Sequence, residues 1–420
     1  MRLHKDLTRL RNQNTAEHEA AENAVRAILA EVRGKGDAAV RRYAEEFDGY
    51  DGGGFLLDPE EAQAAARRAD PGFARILNEA RDNIQVFHRN QIQKPWGMFK
   101  DNGVIMGQIV RPLERVALYV PGGRAAYPST VLMNAVPAVL AGVKDIAVFT
   151  PTKAGGRVNE TILAAAACCG VHKIYRIGGA HAVAAAAYGT ETVKKADKIV
   201  GPGNVYVTAA KRLVYGETDI DMAAGPSEIL IIADETANPA YVAADLMSQA
   251  EHDPLAVAVL VSTSERVIAE TELEIDRQLA HLKRKDIIRE ALSRHGAAVY
   301  AENLDKAFAV ANEIAPEHLE LLIQDPLAAL PRIQNAGSVF LGAYTPEPLG
   351  DYLSGANHVL PTGGTARFSS PLGVYDFVKC SAYSYYPREA LAACKDDVIQ
   401  FALAEGLDAH AHAVSVRFGG

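Results

Sequence analysis

The apolar residues of this chain follow two periods, and the change from one to the other marks where a sheet should begin. Over 16–46 and 59–95 they recur at helical spacing, with a break at Gly34 and Gly36 in the first segment. From residue 115 onward, short apolar runs alternate with longer segments of helical period. Strands that alternate with helices in this way are typical of a parallel sheet covered by helices on both faces.

The alternation falls into two successive runs of similar length. The first run predicts strands at 115–120, 145–150, 173–179 and 198–200, with helices at 128–143, 157–169, 181–188 and from Asn204 onward. The second run predicts strands at 228–234, 256–263, 297–300, 318–323 and 338–342, with helices at 239–252, 265–282 and 303–315. A further helix is expected at 388–404 and a short extended piece at 413–418. The fold class predicted is therefore α/β, with two βαβ regions.

Composition narrows the class of protein. A chain of 420 residues, 49% hydrophobic and 23% charged, is long enough for two or more globular domains. Its net charge of −9 gives no footprint for nucleic acid, and its apolar runs are too short to span a membrane. The first residues carry charges with no apolar segment after them, so no secretory signal is predicted and a cytoplasmic location is expected. The four cysteines form no C-x-x-C pair and predict neither a disulfide framework nor a cysteine metal site.

Several side chains suited to metal binding or proton transfer are spread along the second half of the chain. Neutral imidazole and carboxylate oxygen are ligands that Zn²⁺ accepts, and a Glu–His pair free of metal offers bases that work near neutral pH. A structural zinc site would be built largely from cysteine, so a catalytic metal is indicated. The candidates are Gln249, His252, Asp351 and His410 as ligands, and the adjacent Glu317 and His318 as bases.

Each candidate also has an ordinary structural explanation when it is taken alone. Gln249 and His252 lie three apart near the end of a predicted helix, where a solvated histidine is common. Asp351 lies in a loop flanked by glycine, a position that also suits a turn former. His358, in the same loop, could support a ligand or be a satisfied loop histidine. No one of these residues defines a function by itself.

The joint pattern is far more specific than its parts. The chain closely resembles the histidinol dehydrogenase family from residue 43 to residue 418, with several separate motifs in the same order. The segments that carry the resemblance are LYVPGGRAAYPSTVLMNAVPA (118–138), DKIVGPGNVYVTAAKR (197–212), DMAAGPSEILIIADETANP (221–239), SQAEHDP (248–254), APEHLEL (315–321) and SGANHVLPTGGTARFSSPLGVYDFVK (354–379).

The resemblance implies a zinc enzyme of the last stage of histidine biosynthesis. Such an enzyme oxidises L-histidinol to L-histidine through histidinal and reduces two NAD⁺. It would hold one Zn²⁺ per subunit, and His318 would take the alcohol proton while Glu317 activates water for the aldehyde step. By match to the family's motifs, the zinc ligands would be Gln249, His252, Asp351 and His410, with Ser227, His318 and Glu405 joining them around the substrate.

The resemblance also implies a fold of two incomplete Rossmann-like parallel-sheet domains with helical terminal arms. The protein would be a homodimer in which the segment that carries Glu405 and His410 crosses to the partner's site. The expected divisions are an N-terminal arm at 1–15, a first domain at 16–118 and 228–373, a second domain at 119–227, and a C-terminal helical dimerisation segment at 374–420.

Contacts to NAD are implied at Tyr119, His181 and Asn204. The family usually has glutamine where this chain has His181, which can still hydrogen-bond a cofactor with a different geometry. Asn204 ends the turn GPGN (201–204), which feeds a helix and is by itself a weak phosphate-binding signal. The chain has no G-x-G-x-x-G fingerprint and no Walker loop, so the expectation of NAD depends on the resemblance.

Three other functions remain open at this point. A dehydrogenase on the same scaffold that oxidises another polar alcohol, such as a sulfonated diol, would keep the metal and Glu–His motifs, although Ser227 and Glu405 favour histidinol. A zinc hydrolase is disfavoured because no H-E-x-x-H helix is present. A non-catalytic binding protein would have no use for the Glu317–His318 pair. NADH formation separates the dehydrogenases from the last two.

Overall fold

The chain forms two compact units in a computed structural model that describes residues 3–4, 15–122, 127–152 and 156–419. The first unit comprises Met1–Gln91 and Leu113–Phe377, and the second comprises Ile92–Pro112 and Val378–Gly420. Most of the expected arm at 1–15 lies outside the described residues. The division of the chain into domains at 119 and 228 stays a prediction.

The described residues contain helices and strands in the following order along the chain. The helices are α1 (Thr15–Lys35), α2 (Asp37–Phe47), α3 (Pro59–Arg68), α4 (Pro71–Arg89), α5 (Pro128–Ala141), α6 (Glu160–Cys168), α7 (Gly179–Tyr188), α8 (Val205–Val214), α9 (Pro239–Ala250), α10 (Glu265–Leu279), α11 (Lys285–His295), α12 (Leu304–Ile314), α13 (Pro326–Ala329), α14 (Glu347–Tyr352), α15 (Arg388–Ala404) and α16 (Asp408–Ser415). The strands are β1 (Trp96–Phe99), β2 (Ile105–Pro112), β3 (Arg115–Tyr119), β4 (Asp145–Phe149), β5 (Lys173–Tyr175), β6 (Lys198–Val200), β7 (Asp219–Ile220), β8 (Glu228–Ala233), β9 (Val257–Ser262), β10 (Gly296–Tyr300), β11 (His318–Leu322), β12 (Ser338–Leu341) and β13 (Val378–Tyr385).

The first unit contains two parallel five-stranded sheets, which confirms the predicted α/β fold class. One sheet has the order β5-β4-β3-β6-β7 and the other has the order β10-β9-β8-β11-β12. Each strand predicted between 115 and 342 is present. These strands could be predicted because helices cover the sheets, and buried strands carry continuous apolar runs. In β8, for example, all six residues are buried.

Two of the predicted boundaries are wrong because glycine chemistry and tertiary packing decide the local structure. The strand expected at 173–179 ends at Tyr175, and α7 begins at Gly179, whose φ of 58° is in the left-handed region. The extended piece expected at 413–418 is instead the end of α16 followed by a 3-10 turn at Val416–Phe418. Packing of α16 on α15 overrides the strand preference of its valines.

The second unit contains an antiparallel sheet that the apolar pattern does not predict. Its strand order is β1-β2-β13, and β13 pairs along its whole length with β2. Seven of the eight β13 residues and all four of β1 are exposed in the single chain, so these are not the buried strands that apolar runs are used to predict. The helices α15 and α16 complete this unit. Across the described residues, no helix is both long and apolar enough to cross a membrane.

Gly337 is a position where the fold requires glycine. It precedes β12, its N–H donates to the carbonyl of Pro316 at 2.9 Å, and a Cβ added there would lie 2.5 Å from the carbonyl oxygen of Glu317. We expect Gly337→Ala to lower the free energy of unfolding by about 1–3 kcal/mol, because the backbones of the two strands must separate. Urea denaturation measures this change.

The matched control is Gly34→Ala in α1. Gly34 is exposed, and a Cβ added there would meet nothing within 4 Å. This substitution should raise the free energy of unfolding by about 0.5–1 kcal/mol, because alanine loses less conformational freedom in a helix. Equal stability of Gly337→Ala and the parent protein would contradict the close approach of the two strands.

Candidate active site

The predicted catalytic pair lies where the strands of the second parallel sheet begin. His318 is the first residue of β11, Glu228 is the first residue of the neighbouring β8, and Ser338 is the first residue of β12 on the other side. Ser227 directly precedes β8 and is half-buried. Ligands of open α/β sheets usually bind outside the carboxyl ends of the strands. This site is therefore built on the opposite edge.

The main chain of Glu228 holds both members of the pair. Its N–H donates to Oε2 of Glu317 at 2.8 Å, and its carbonyl lies 2.9 Å from Nδ1 of His318. A carbonyl only accepts hydrogen bonds, so Nδ1 carries the proton and Nε2 keeps a free lone pair. Glu317 and His318 are 7% and 4% exposed, which leaves little freedom for either side chain. The geometry selects Nε2 as the atom that can accept a proton.

Helix α14 brings two carboxylates to His318. Oε1 of Glu347 lies 3.7 Å from Nε2 of His318, and ligand atoms of His318, Glu347 and Asp351 all lie within 4.8 Å of one another. Asp351 was expected in a loop, but it lies in the last turn of this six-residue helix. Glu347 was missed, although the spacing Glu-x-x-x-Asp in PEPLGDY places both carboxylates on one helical face.

Helix α9 contributes the predicted ligands on its C-terminal side. Gln249 is 1% exposed, and its Oε1 has no hydrogen-bond partner among the described residues. The hydroxyl of Ser248 lies 3.4 Å from Oε2 of Glu347, so α9 and α14 meet here. His252 lies two residues beyond the end of the helix rather than within it. An orphaned amide oxygen beside carboxylates and imidazoles is a donor set suited to a divalent cation.

The imidazole of His358 contacts Asp351. Its Nδ1 lies 3.4 Å from Oδ1 and 3.2 Å from the main-chain oxygen of Asp351. Its Nε2 lies 3.5 Å from the hydroxyl of Thr130 in α5. Burial opposes ionisation of Asp351, but the hydrogen bond and charge of His358 outweigh it and lower the pKa of that carboxyl. Asp351 is thus held as a carboxylate.

The other groups of the site are displaced toward their neutral forms. Burial raises the pKa of Glu317 well above its ordinary value, with the charges of Glu228, Asp351 and Glu347 adding to the effect. Burial likewise raises the pKa of Glu347 to about 8 and lowers the pKa of His318 to about 4. A bound cation would favour the ionised carboxylates, so the crowding of carboxyl groups is itself suited to a metal.

A second pair of carboxyl groups lies behind this site and was not expected from the sequence. Glu320 is fully buried, two residues after His318 on the same face of β11, and it faces Asp245 of α9. Burial, followed by the charge of Asp245, raises the pKa of Glu320 well above its ordinary value. Burial and the neighbouring charge of Asp245 thus both favour the neutral form of the Glu320 carboxyl group.

The predicted NAD contacts lie at the carboxyl edge of the first sheet. Tyr119 ends β3, Asn204 follows β6, and His181 lies in the first turn of α7 after β5. Asn204 is exposed, and its side-chain oxygen caps α8 by accepting from the N–H groups of residues 206 and 207, both at 3.1 Å. The cap uses the N–H groups of residues 206 and 207, and the N–H of residue 205 at the start of α8 has no partner within the helix.

Tyr119 and His181 both hold the start of α7 in this structure. The hydroxyl of Tyr119 accepts from the N–H of Gly179 at 3.0 Å. His181 is 1% exposed, and its Nε2 lies 3.0 Å from Oδ2 of Asp48, which also accepts from the N–H of Gly178 at 2.7 Å. Whether either side chain contacts NAD stays a prediction.

Glu405 and His410 belong to the second unit. Glu405 is the C-cap residue that directly follows α15, and His410 lies in α16; both are exposed in the single chain. They border a groove of about 860 Å³ between the two helices, whose other walls are largely apolar, with Val398, Phe401, Leu407 and Val414 among them. Their participation in the active site stays a prediction.

Comparison with known proteins agrees with this geometry. The fold and site define the class first: an α/β enzyme with a buried imidazole beside a cluster of carboxyl groups that could hold a metal ion. The family model for histidinol dehydrogenase matches residues 11–418. This chain belongs to the histidinol dehydrogenase family, as its motifs indicated.

The relatives cover nearly the whole chain. A histidinol dehydrogenase of Lactococcus lactis is 55% identical over 419 residues, covering 99% of this chain and 97% of the relative. One of Listeria innocua is 52% identical, covering 97% of this chain and 95% of the relative. The crystal structure of histidinol dehydrogenase from Elizabethkingia anophelis superposes with a TM-score of 0.90 at 38% identity, with 97% of each chain covered.

The two carboxylates of α14 should differ in their importance for a bound metal. His358 contacts the carboxyl group of Asp351 and lowers its pKa, whereas Glu347 lies 3.7 Å from Nε2 of His318 and burial raises its pKa, so Asp351 is the carboxylate more readily available to a cation. We expect Asp351→Asn to lose zinc on dialysis, while Glu347→Gln retains it. Metal content determined by mass spectrometry measures this difference. Equal zinc loss in both variants would contradict the distinction.

Proposed function

We propose that this protein oxidises L-histidinol to L-histidine through histidinal, with one Zn²⁺ per subunit and two molecules of NAD⁺ per substrate. The observation that carries the proposal is the position of Glu317 and His318, which the main chain of Glu228 fixes beside the metal-binding side chains. Family membership over nearly the whole chain supports the same substrate.

The residues present fit a zinc ion. Gln249, His252 and Asp351 of the first unit offer an amide oxygen, an imidazole and a carboxylate, and the amide oxygen is buried without another partner. His410 of a second copy would supply the remaining ligand. When bound, zinc would anchor the imidazole and amine of histidinol and polarise its hydroxyl group.

His318 would act as the base in the first oxidation. Its Nε2 carries the lone pair because Nδ1–H donates to the Glu228 carbonyl, and burial keeps the ring neutral at neutral pH by lowering its pKa to about 4. It would take the hydroxyl proton of the substrate and become a positively charged imidazolium. The nearby carboxyl groups would help to stabilise that charge. Glu347 at 3.7 Å from Nε2 stands on the side where this charge develops.

Glu317 would serve the second oxidation. Its carboxyl group is held by the Glu228 N–H and lies 3.6 Å from Nδ1 of His318. It would remove a proton from the water that adds to the aldehyde, and His318 would then accept a proton from the hydrate formed. Both residues are buried, and a substrate held between them would have little contact with bulk water.

The carboxyl edge of the first sheet would hold the dinucleotide. Asn204 and the N-terminus of α8 lie there, close along the chain to the glycine turn at 201–203. Tyr119 and His181 would complete the contacts directly or through α7, whose start they hold. When bound, NAD⁺ would accept a hydride in each of the two oxidations.

A homodimer would complete each site. Glu405 and His410, both exposed in the single chain, would enter the site of the second copy, where Glu405 would contact the substrate and His410 would bind the zinc. The largely apolar groove beside them is a surface that a second subunit would cover.

The experiment that tests the function is a measurement of NADH yield with limiting L-histidinol, excess NAD⁺ and zinc-loaded protein, with the product identified by mass. We expect two NADH per histidinol and histidine as the product. Absence of turnover by folded, zinc-containing protein would instead favour another polar alcohol, which parallel assays with sulfonated diols would identify.

Glu317→Gln should slow the second oxidation more than the first, because glutamine keeps the hydrogen bond from the Glu228 N–H but cannot accept a proton from water. Single-turnover rates with histidinol and with histidinal as separate substrates measure the two steps. Equal losses in both steps, at unchanged zinc content, would contradict the role assigned to Glu317.

His410→Ala should lower zinc content, whereas His412→Ala, an exposed histidine two residues further along α16 that points in a different direction, should not. Mixed dimers of His410→Ala and His318→Asn subunits then test the crossing. If His410 reaches the partner's site, one site per mixed dimer has both residues intact and activity returns. If mixing restores no activity in confirmed mixed dimers, His410 acts within its own subunit.

A further inference from the structure

The turn that follows β6 contains Gly201, whose backbone conformation and close main-chain contacts are tightly constrained. Gly201 has a φ of 111°, and a Cβ added there would collide with the main chain of Tyr119 in β3. Only glycine accommodates this close approach of two backbones. The turn then leads through Gly203 to Asn204, the cap of α8.

A buried ion pair binds both peptide groups of Gly201. Its N–H donates to Oδ2 of Asp221 at 2.7 Å, and its carbonyl accepts from Nζ of Lys211 at 2.8 Å. Lys211 and Asp221 also pair with each other, and their side chains are 2% and 1% exposed. Nothing in the reaction uses these two charges, and burying them is costly unless their hydrogen bonds are satisfied.

The two residues come from the elements on either side of the turn. Lys211 lies in the second half of α8, and Asp221 follows β7 at the edge of the same sheet. The Asp221 carboxylate further accepts from the N–H of Met222 at 2.6 Å, so it fixes its own segment as well. That segment continues to Ser227 at the start of β8. The pair therefore joins the glycine turn, α8 and the chain that leads to the substrate site.

We propose that Lys211 and Asp221 are positioning residues for the dinucleotide. They hold Gly201 from both sides and so present Asn204 and the N–H groups at the start of α8 to the cofactor. This inference depends on the proposed use of NAD⁺. Neither side chain reaches the cofactor itself, because both are buried beneath the turn.

The test compares Lys211→Met, Asp221→Asn and the double variant in the intact zinc-loaded protein. We expect each to raise the KM for NAD⁺ on the order of tenfold or more, with little change in the KM for histidinol or in zinc content. Direct titration with NADH, followed by calorimetry, provides a second readout of cofactor affinity. In the double variant no charge is left buried alone, so thermal stability should recover relative to Lys211→Met while the KM for NAD⁺ stays raised.

Asp145→Asn is the matched control. Asp145 pairs with Arg115 at 2.8 Å and Lys173 at 2.6 Å at the opposite, amino-terminal edge of the same sheet, so this variant loses ion pairs away from the turn. It should leave the KM for NAD⁺ unchanged. The inference is overturned if the double variant has the same KM for NAD⁺ as the parent protein, whether or not its thermal stability also recovers. Failure of the parent protein to bind NADH or to reduce NAD⁺ would instead refute the proposed function.

Discussion

The parallel pairing of β8 with β11 is the constraint on which the active site depends. It places the peptide groups of Glu228 beside the first residues of β11, so one N–H and one carbonyl hold Glu317 and His318 at the same time. The carbonyl also sets the tautomer of the imidazole, which no side chain of the site does. A shift of one residue in the pairing would turn His318 to the other face of the sheet.

The second constraint is electrostatic. Glu228, Glu317 and Glu347 are buried close together, and burial raises the pKa of each carboxyl group, to about 7 for Glu228 and about 8 for Glu347. Asp351 is the exception because His358 contacts it. A set of carboxyl groups that tolerates only part of its negative charge is poised to gain stability from a divalent cation. Burial of the ring lowers the pKa of His318 and outweighs the charge of Asp351, which favours a proton there.

The candidate residues lie at different edges of the two parallel sheets. In the second sheet the candidate catalytic pair lies at the amino ends of the strands, whereas in the first sheet the candidate NAD contacts lie at the carboxyl ends, with glycine turns and the starts of α7 and α8. The absence of a G-x-G-x-x-G motif from the sequence is consistent with this arrangement, since the turn at Gly201 is stabilised by a buried Lys–Asp pair rather than by a run of glycines. The chain from Asp221 to Ser227 joins the two regions.

The sequence by itself determined the α/β class, nearly all strands of the parallel sheets and the family, because buried parallel strands carry continuous apolar runs and the motifs are long and ordered. It could not reveal β1 and β13, whose residues are largely exposed in the single chain, or β2, which is mostly half-buried between them. It also missed Glu347, the carboxyl pair Asp245–Glu320 and the role of the Glu228 main chain. The first two depend on which side chains come into contact from strands and helices that are far apart in the chain. The third is a pair of main-chain hydrogen bonds, which almost any residue type can make, so the sequence does not reveal it. Only the tertiary structure decides which of two nitrogens of His318 is free, because that choice is made by a carbonyl 90 residues away.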